Sequence, residues 1–228
     1  MSNPIESFIK HGLHLAVAFV VLVLIKLLVP DMVPFGMFEF WHASPNPGGL
    51  AIATTPFLLW AVAAQFLLGT APPRWMRPGN ILAAGLLVST IAGLMEELRW
   101  RWVHFMIAAF TVQVANFVFF GFLGFGIPEL LYGVLVGPLA NFFTLGALDD
   151  RLLGTDWFVG AAVIVSNNNF RDGHKYQGFI GWTNSWFLGM FFFWVMFNHG
   201  LLSAIVVHFA YDAVIYAVHC AWAVQRRA

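Results

Sequence analysis

Long apolar runs, parted by short polar or Pro/Gly-rich breaks, set the pattern of this chain. The first is His11 to Val29, interrupted only by Lys26, whose long stem can carry its ammonium to an interface. No small-residue cleavage site follows it, since Val29-Pro30-Asp31 is a poor one, so it reads as a retained helix. Leu50 to Leu68, Ile81 to Met95, Trp102 to Phe125 and Ile127 to Leu148 come next. A short run, Trp157 to Val165, precedes Phe179 to Phe197 and Leu201 to Val224. Most approach the ~20 residues that a spanning helix needs, and none alternates with the period of a barrel strand. The pattern predicts an all-α, polytopic transmembrane helical bundle of about eight apolar segments. It is read as one integral-membrane domain, residues 1–228, with a motif-bearing core at about 81–224.

The breaks have their own character. Residues 30–49, rich in Pro, Gly and aromatics, predict an interfacial loop with a short helix around Phe35 to Trp41. Thr70 to Asn80 reads as a rigid basic loop, and Asp149, Asp150, Arg151 and Asp156 as a polar one. Ser166 to Gln177 is an unusually hydrophilic run whose simplest reading is a solvated loop. Gly133 and Gly137 fit close helix packing.

Composition sharpens the class. Of 228 residues, 60% are hydrophobic and only 10% charged, against about 25% charged in a soluble domain. There is too little polar surface to cover this chain in water. Acidic and basic residues cancel at 11 each, which argues against a nucleic-acid partner. One cysteine, Cys220, excludes an internal disulfide and reads as a buried spectator.

Three polar islands interrupt the apolar background: Glu96-Glu97 through Arg101, Phe170 through His174, and His208 through Asp212. Ionisable groups in a membrane are costly, and each is a candidate for function. On a helix Glu97 and Arg101 are i, i+4 partners in the favoured order, while Glu96 points about 100° away. His208 and Asp212 likewise share a helix face. A carboxylate and an imidazole in a partly dehydrated cavity can together activate water for attack on a carbonyl. The His208/Asp212 face can donate hydrogen bonds to an oxyanion or ligate a metal. The remaining histidines (His11, His14, His42, His104, His199, His219) read as interhelical hydrogen-bonders or interface residues.

The order and spacing, E-E-x-x-x-R, F-x-x-x-H and H-x-x-x-D, resemble the three motifs of the CAAX-protease and bacteriocin-processing (CPBP, or Abi) intramembrane proteases. The resemblance covers about half the chain, from Met95 to Asp212. It implies a helical bundle around a water-filled cavity and hydrolysis of a peptide bond in a membrane-anchored peptide or protein, with no cofactor. Carried over, Glu96 is the general base, His174 its partner in activating water, and His208 with Asp212 the oxyanion stabilisers. Glu97 and Arg101 brace the site and Phe170 packs beneath it.

The chain departs from that pattern in three places. The gap from Arg101 to Phe170 has room for an extra segment, the second motif is polar, and the third ends in an acid where asparagine would donate more readily. Two other readings therefore stand beside the protease: a non-catalytic scaffold or immunity protein of the same fold, and a metal or haem enzyme. In the latter Glu96, His174, His208 and Asp212 are the alternative ligands of a divalent metal. Lys10, Arg74, Arg77, Arg226 and Arg227 on one side satisfy the positive-inside bias with both termini cytoplasmic, and the compact size suggests a bacterial inner membrane. Simple threading sets Glu96 and His174 toward opposite faces unless one run between Trp102 and Leu148 fails to cross.

Overall fold

Among the described residues four helices are long and apolar enough to cross a membrane: Pro47–Leu67, Pro78–Val118, Lys175–His199 and Leu201–Gln225. The computed structural model describes residues 4–68 and 77–226, and all regular structure among them is helical. In chain order the helices are α1 (Pro4–Leu28), α2 (Pro47–Leu68), α3 (Pro78–Glu96), a π-helical segment (Glu97–Val103) and α4 (His104–Val118). Then follow α5 (Ile127–Leu131), a π-helical turn (Tyr132–Val136), α6 (Gly137–Phe143) and α7 (Asp149–Leu152). The series closes with α8 (Trp157–Gly173), α9 (Gly178–His199) and α10 (Leu201–Gln225). The basic loop expected at Thr70 to Asn80 lies mostly outside the described residues.

Several expectations change. The runs 81–95 and 102–125 are not two helices but parts of one helical stretch, Pro78–Val118. Nothing between Leu94 and Phe105 breaks a helix, because charged residues interrupt hydropathy without interrupting hydrogen bonding. The next run yields only a shorter apolar helix, Ile127–Phe143. Residues 37–40 form turns rather than the expected helix. The hydrophilic run after Ser166 is not a loop: α8 continues to Gly173, with Ser166 and Asn167 fully buried. In an apolar solvent polar side chains turn inward, so hydrophilicity there marks the interior. Gly137 is a close-packed position, where a Cβ would meet Tyr132 and Leu152, whereas a Cβ on Gly133 would meet no neighbouring atom within 4 Å.

The chain divides into two compact units. The first comprises Met1–Glu39 and Leu98–Trp194. Here α4 packs along α8 and against α1, with Phe105 and Met106 of α4, Ala162 and Val163 of α8, and Phe192 and Phe193 of α9 buried. Side chains satisfy the irregular backbone after α1: Lys26 Nζ donates to Val33 O (2.6 Å), Trp102 Nε1 to Met37 O (2.7 Å) and Gln113 Nε2 to Met32 O (2.6 Å). Asn116 organises the reversal after α4, accepting from the Glu129 amide at 3.0 Å. A Cβ on Gly126 would overlap the Asn116 side chain, and Phe120 is left-handed (φ 70°).

The second unit comprises Phe40–Glu97 and Val195–Ala228. Its centre is the pairing of α3 with α10, flanked by α2. Gly85, Ser89 and Gly93, spaced one turn apart, are buried on one face of α3. Gly93 abuts the α10 backbone at Ile205 and Phe209, and Gly85 abuts the Tyr216 ring. The helices are therefore antiparallel and close, as small residues allow in lipid. The first amides of α10 are capped by loop carbonyls: Leu201 N donates to Phe40 O (2.7 Å) and Leu202 N to His42 O (3.3 Å). Gly200 (φ 87°) makes the corner before α10, where a Cβ would strike His42 O. These contacts fix the depth and rotation of α10.

Candidate functional site

α3 ends in Glu96, the next residue is Glu97, and the antiparallel helix beside them carries His208 and Asp212 one turn apart. The four side chains converge within the second unit. His208 Nδ1 lies 2.7 Å from Glu97 Oε1. An ionised carboxylate only accepts, so Nδ1 carries the proton and donates it, which directs Nε2 the other way. Nε2 sits 3.9 Å from Glu96 Oε2 and 3.8 Å from Asp212 Oδ2. One imidazole thus stands among three carboxylates.

Burial is graded across this cluster. The Glu97 side chain is 0% exposed and that of His208 6%, whereas Glu96 and Asp212 retain 31% and 23%. The Nδ1 contact is sealed, and the two partly exposed carboxylates, Glu96 and Asp212, lie on the Nε2 side of the ring.

Phe170, His174 and Arg101 belong to the first unit and form a cluster of their own. The fully buried Arg101 guanidinium lies 4.0 Å over the Phe170 ring and 5.2 Å from that of Phe192. The ring of His174, just past α8, is tilted against that of Phe170 (4.6 Å between centroids), and its Nδ1 donates to Phe170 O at 2.8 Å. Phe170 therefore lies against a cation from the first motif and an imidazole from its own. Beyond it, Asp172 takes hydrogen bonds from Lys175 (2.8 Å) and Trp182 (2.9 Å), which hold its carboxyl well below the usual carboxylate range.

The expected i, i+4 relation of Glu97 and Arg101 assumed an α-helix, but residues 97–103 are π-helical. Widened turns of this kind are rare and are frequently found at functional sites. Three residues act otherwise than expected: His104, read as an interhelical or interface residue, bonds within its own helical stretch, and Ser166 and Asn167, read as part of a solvated loop, are buried donors. The Ser166 hydroxyl donates to Trp100 O, and His104 Nδ1 donates to Arg99 O at 2.9 Å. Asn167 Nδ2 donates to Trp186 O (2.9 Å), its side chain filling the space that Gly189 leaves empty. The spacing Asn167, Phe170, His174 (i, i+3, i+7) is a helix-face signal within the supposed loop.

Among the described residues no group of three or more His, Cys, Asp or Glu is arranged to hold a metal ion. His219 Nε2 lies 3.0 Å from Gln65 Oε1, joining α10 to α2, and Cys220 is a half-buried thiol nearby in sequence. No family model, characterised protein or solved structure matches this chain.

Proposed function

We propose that this protein is a glutamate-dependent intramembrane endopeptidase of the CPBP type, hydrolysing a peptide bond of a membrane-anchored peptide or protein with activated water. The observation that carries the reading is the His208 imidazole, pinned at Nδ1 by a buried carboxylate and facing two partly exposed ones from Nε2. Such an arrangement separates an orienting acid from working acids, the division of labour that acid–base catalysis needs.

In this mechanism Glu96, partly exposed, accepts a proton from water as the oxygen attacks the scissile carbonyl carbon. The carbonyl electron pair moves onto oxygen, and the oxyanion accepts a hydrogen bond from Nε2–H of doubly protonated His208. Asp212 donates to the same oxygen only as the neutral acid. Collapse of the tetrahedral adduct expels the amine, which takes the proton held by Glu96. Glu97 keeps the ring in register throughout. The setting we propose is a bacterial inner membrane with both termini cytoplasmic.

The test is cleavage of a lipid-tethered fluorogenic peptide by protein reconstituted in bilayers. Glu96→Gln and His208→Ala each lower turnover by about 100-fold or more, the scale of losing an acid–base or oxyanion group. His219→Ala leaves it unchanged. Asp212→Asn, a permanent donor, retains turnover that Asp212→Ala loses. Full activity in the Glu96 variant would remove the proposal.

A further inference from the structure

The π-helical segment Glu97–Val103 carries the first motif, and α8 holds it. In a π-helix each amide reaches back five residues; in an α-helix it reaches four. Where one register gives way to the other, at Val103 and His104, the main chain passes over a carbonyl of the preceding turn. A buried carbonyl needs a donor from elsewhere. At this place two successive carbonyls receive side-chain donors, Arg99 O from His104 Nδ1 and Trp100 O from Ser166 Oγ.

Ser166 is fully buried and sits 66 residues away in sequence, on another helix of the same unit. Its neighbour Asn167 donates in a different direction, to Trp186 O of α9. Together they anchor α8 to two helices through carbonyls. From that anchored turn the same helix presents Phe170 to Arg101, itself inside the π segment. The hydroxyl and the ring are two contacts from α8 to one widened turn.

We infer that Ser166 is a positioning residue: its hydroxyl supplies the hydrogen bond that holds the first-motif turn in π geometry, and through that turn it sets the orientation of Arg101. The link to catalysis rests on the peptidase reading; the hold on the turn does not. Ser166 touches no reacting atom and acts through Trp100.

The decisive comparison is Ser166→Ala against Ser166→Thr, which keeps the hydroxyl, in the full-length reconstituted protein. Amide hydrogen exchange over residues 100–106 speeds up by about tenfold in the alanine variant, the equivalent of one lost buried hydrogen bond, and returns toward wild type in the threonine variant. With the tethered peptide, kcat of the alanine variant falls by about 10- to 100-fold at unchanged KM, the cost of a small misplacement of catalytic groups. Threonine restores it. Unchanged exchange in the alanine variant, or a threonine variant as loose as alanine, overturns the assignment. A wild type inert toward the peptide while exchange follows this pattern would sink the peptidase reading and leave the role of Ser166 standing.

Discussion

At the scale of single residues the sharpest feature is the contact of His208 with Glu97. Both are buried, so the pair has no water to fall back on if one member is lost. Removing one partner of a buried ionic pair costs about 3–5 kcal/mol, most of it from the group left behind. We therefore expect Glu97→Ala to lower unfolding stability in detergent by about 3 kcal/mol. Glu97→Gln loses less, because its amide oxygen still accepts from Nδ1. Chemical denaturation followed by tryptophan fluorescence measures both, and an alanine variant as stable as wild type would mean the contact is idle. The adjacent residue tells a different story. Glu96 keeps nearly a third of its surface, so its replacement acts on turnover more than on folding.

At the scale of helices, the site exists because α3 and α10 lie close. Glycines make that approach, but the two kinds of glycine in this chain are not equivalent. A Cβ on Gly85 would sit 2.2 Å from the Tyr216 ring, too near to be absorbed. Gly85→Ala is expected to cost about 1–3 kcal/mol by overpacking. Around Gly133 there is open space, and Gly133→Ala is expected to be neutral or stabilising by up to about 1 kcal/mol through helix propensity. Thermal unfolding of the two variants side by side checks the contrast.

Legibility also divides at this scale. The expected spans 50–68, 179–197 and 201–224 lie within a few residues of α2, α9 and α10, because the length of an apolar run is a direct record of a helix in lipid. The continuity of Pro78–Val118 escaped that measure, since Glu96 to Arg101 lower hydropathy without ending a helix. The π register of residues 97–103 has no signature in residue type at all; it depends on a hydroxyl from α8. The burial of Ser166 and Asn167 is hidden by their polarity, which signals exposure in water but the interior in lipid. The cost of charge in lipid marks Glu96, Glu97, His208 and Asp212 as candidates, but only the resemblance puts Glu96, His208 and Asp212 in one site, and the contact of Glu97 with His208 has no signal in spacing.

At the scale of the molecule, the antiparallel pairing of α3 and α10 bears on orientation. It sets the start of α3, preceded by Arg77, and the end of α10, followed by Arg226, at the same end of the second unit. Basic residues gathered at one end are what the positive-inside bias selects on the cytoplasmic side. A reporter fused after Ala228 should accordingly be active only in its cytoplasmic form; activity of a periplasmic reporter there would reverse the proposed topology.

The discontinuity of the second unit has a consequence for how the protein is made. Glu97 and the imidazole that contacts it are 111 residues apart, and the larger segment of the first unit, Leu98–Trp194, is synthesised between them. During that interval the nascent chain carries two acids whose counterpart has not left the ribosome. Biogenesis must shelter them, in a hydrated vestibule or beside an insertion factor, until the distant histidine arrives and closes the circuit.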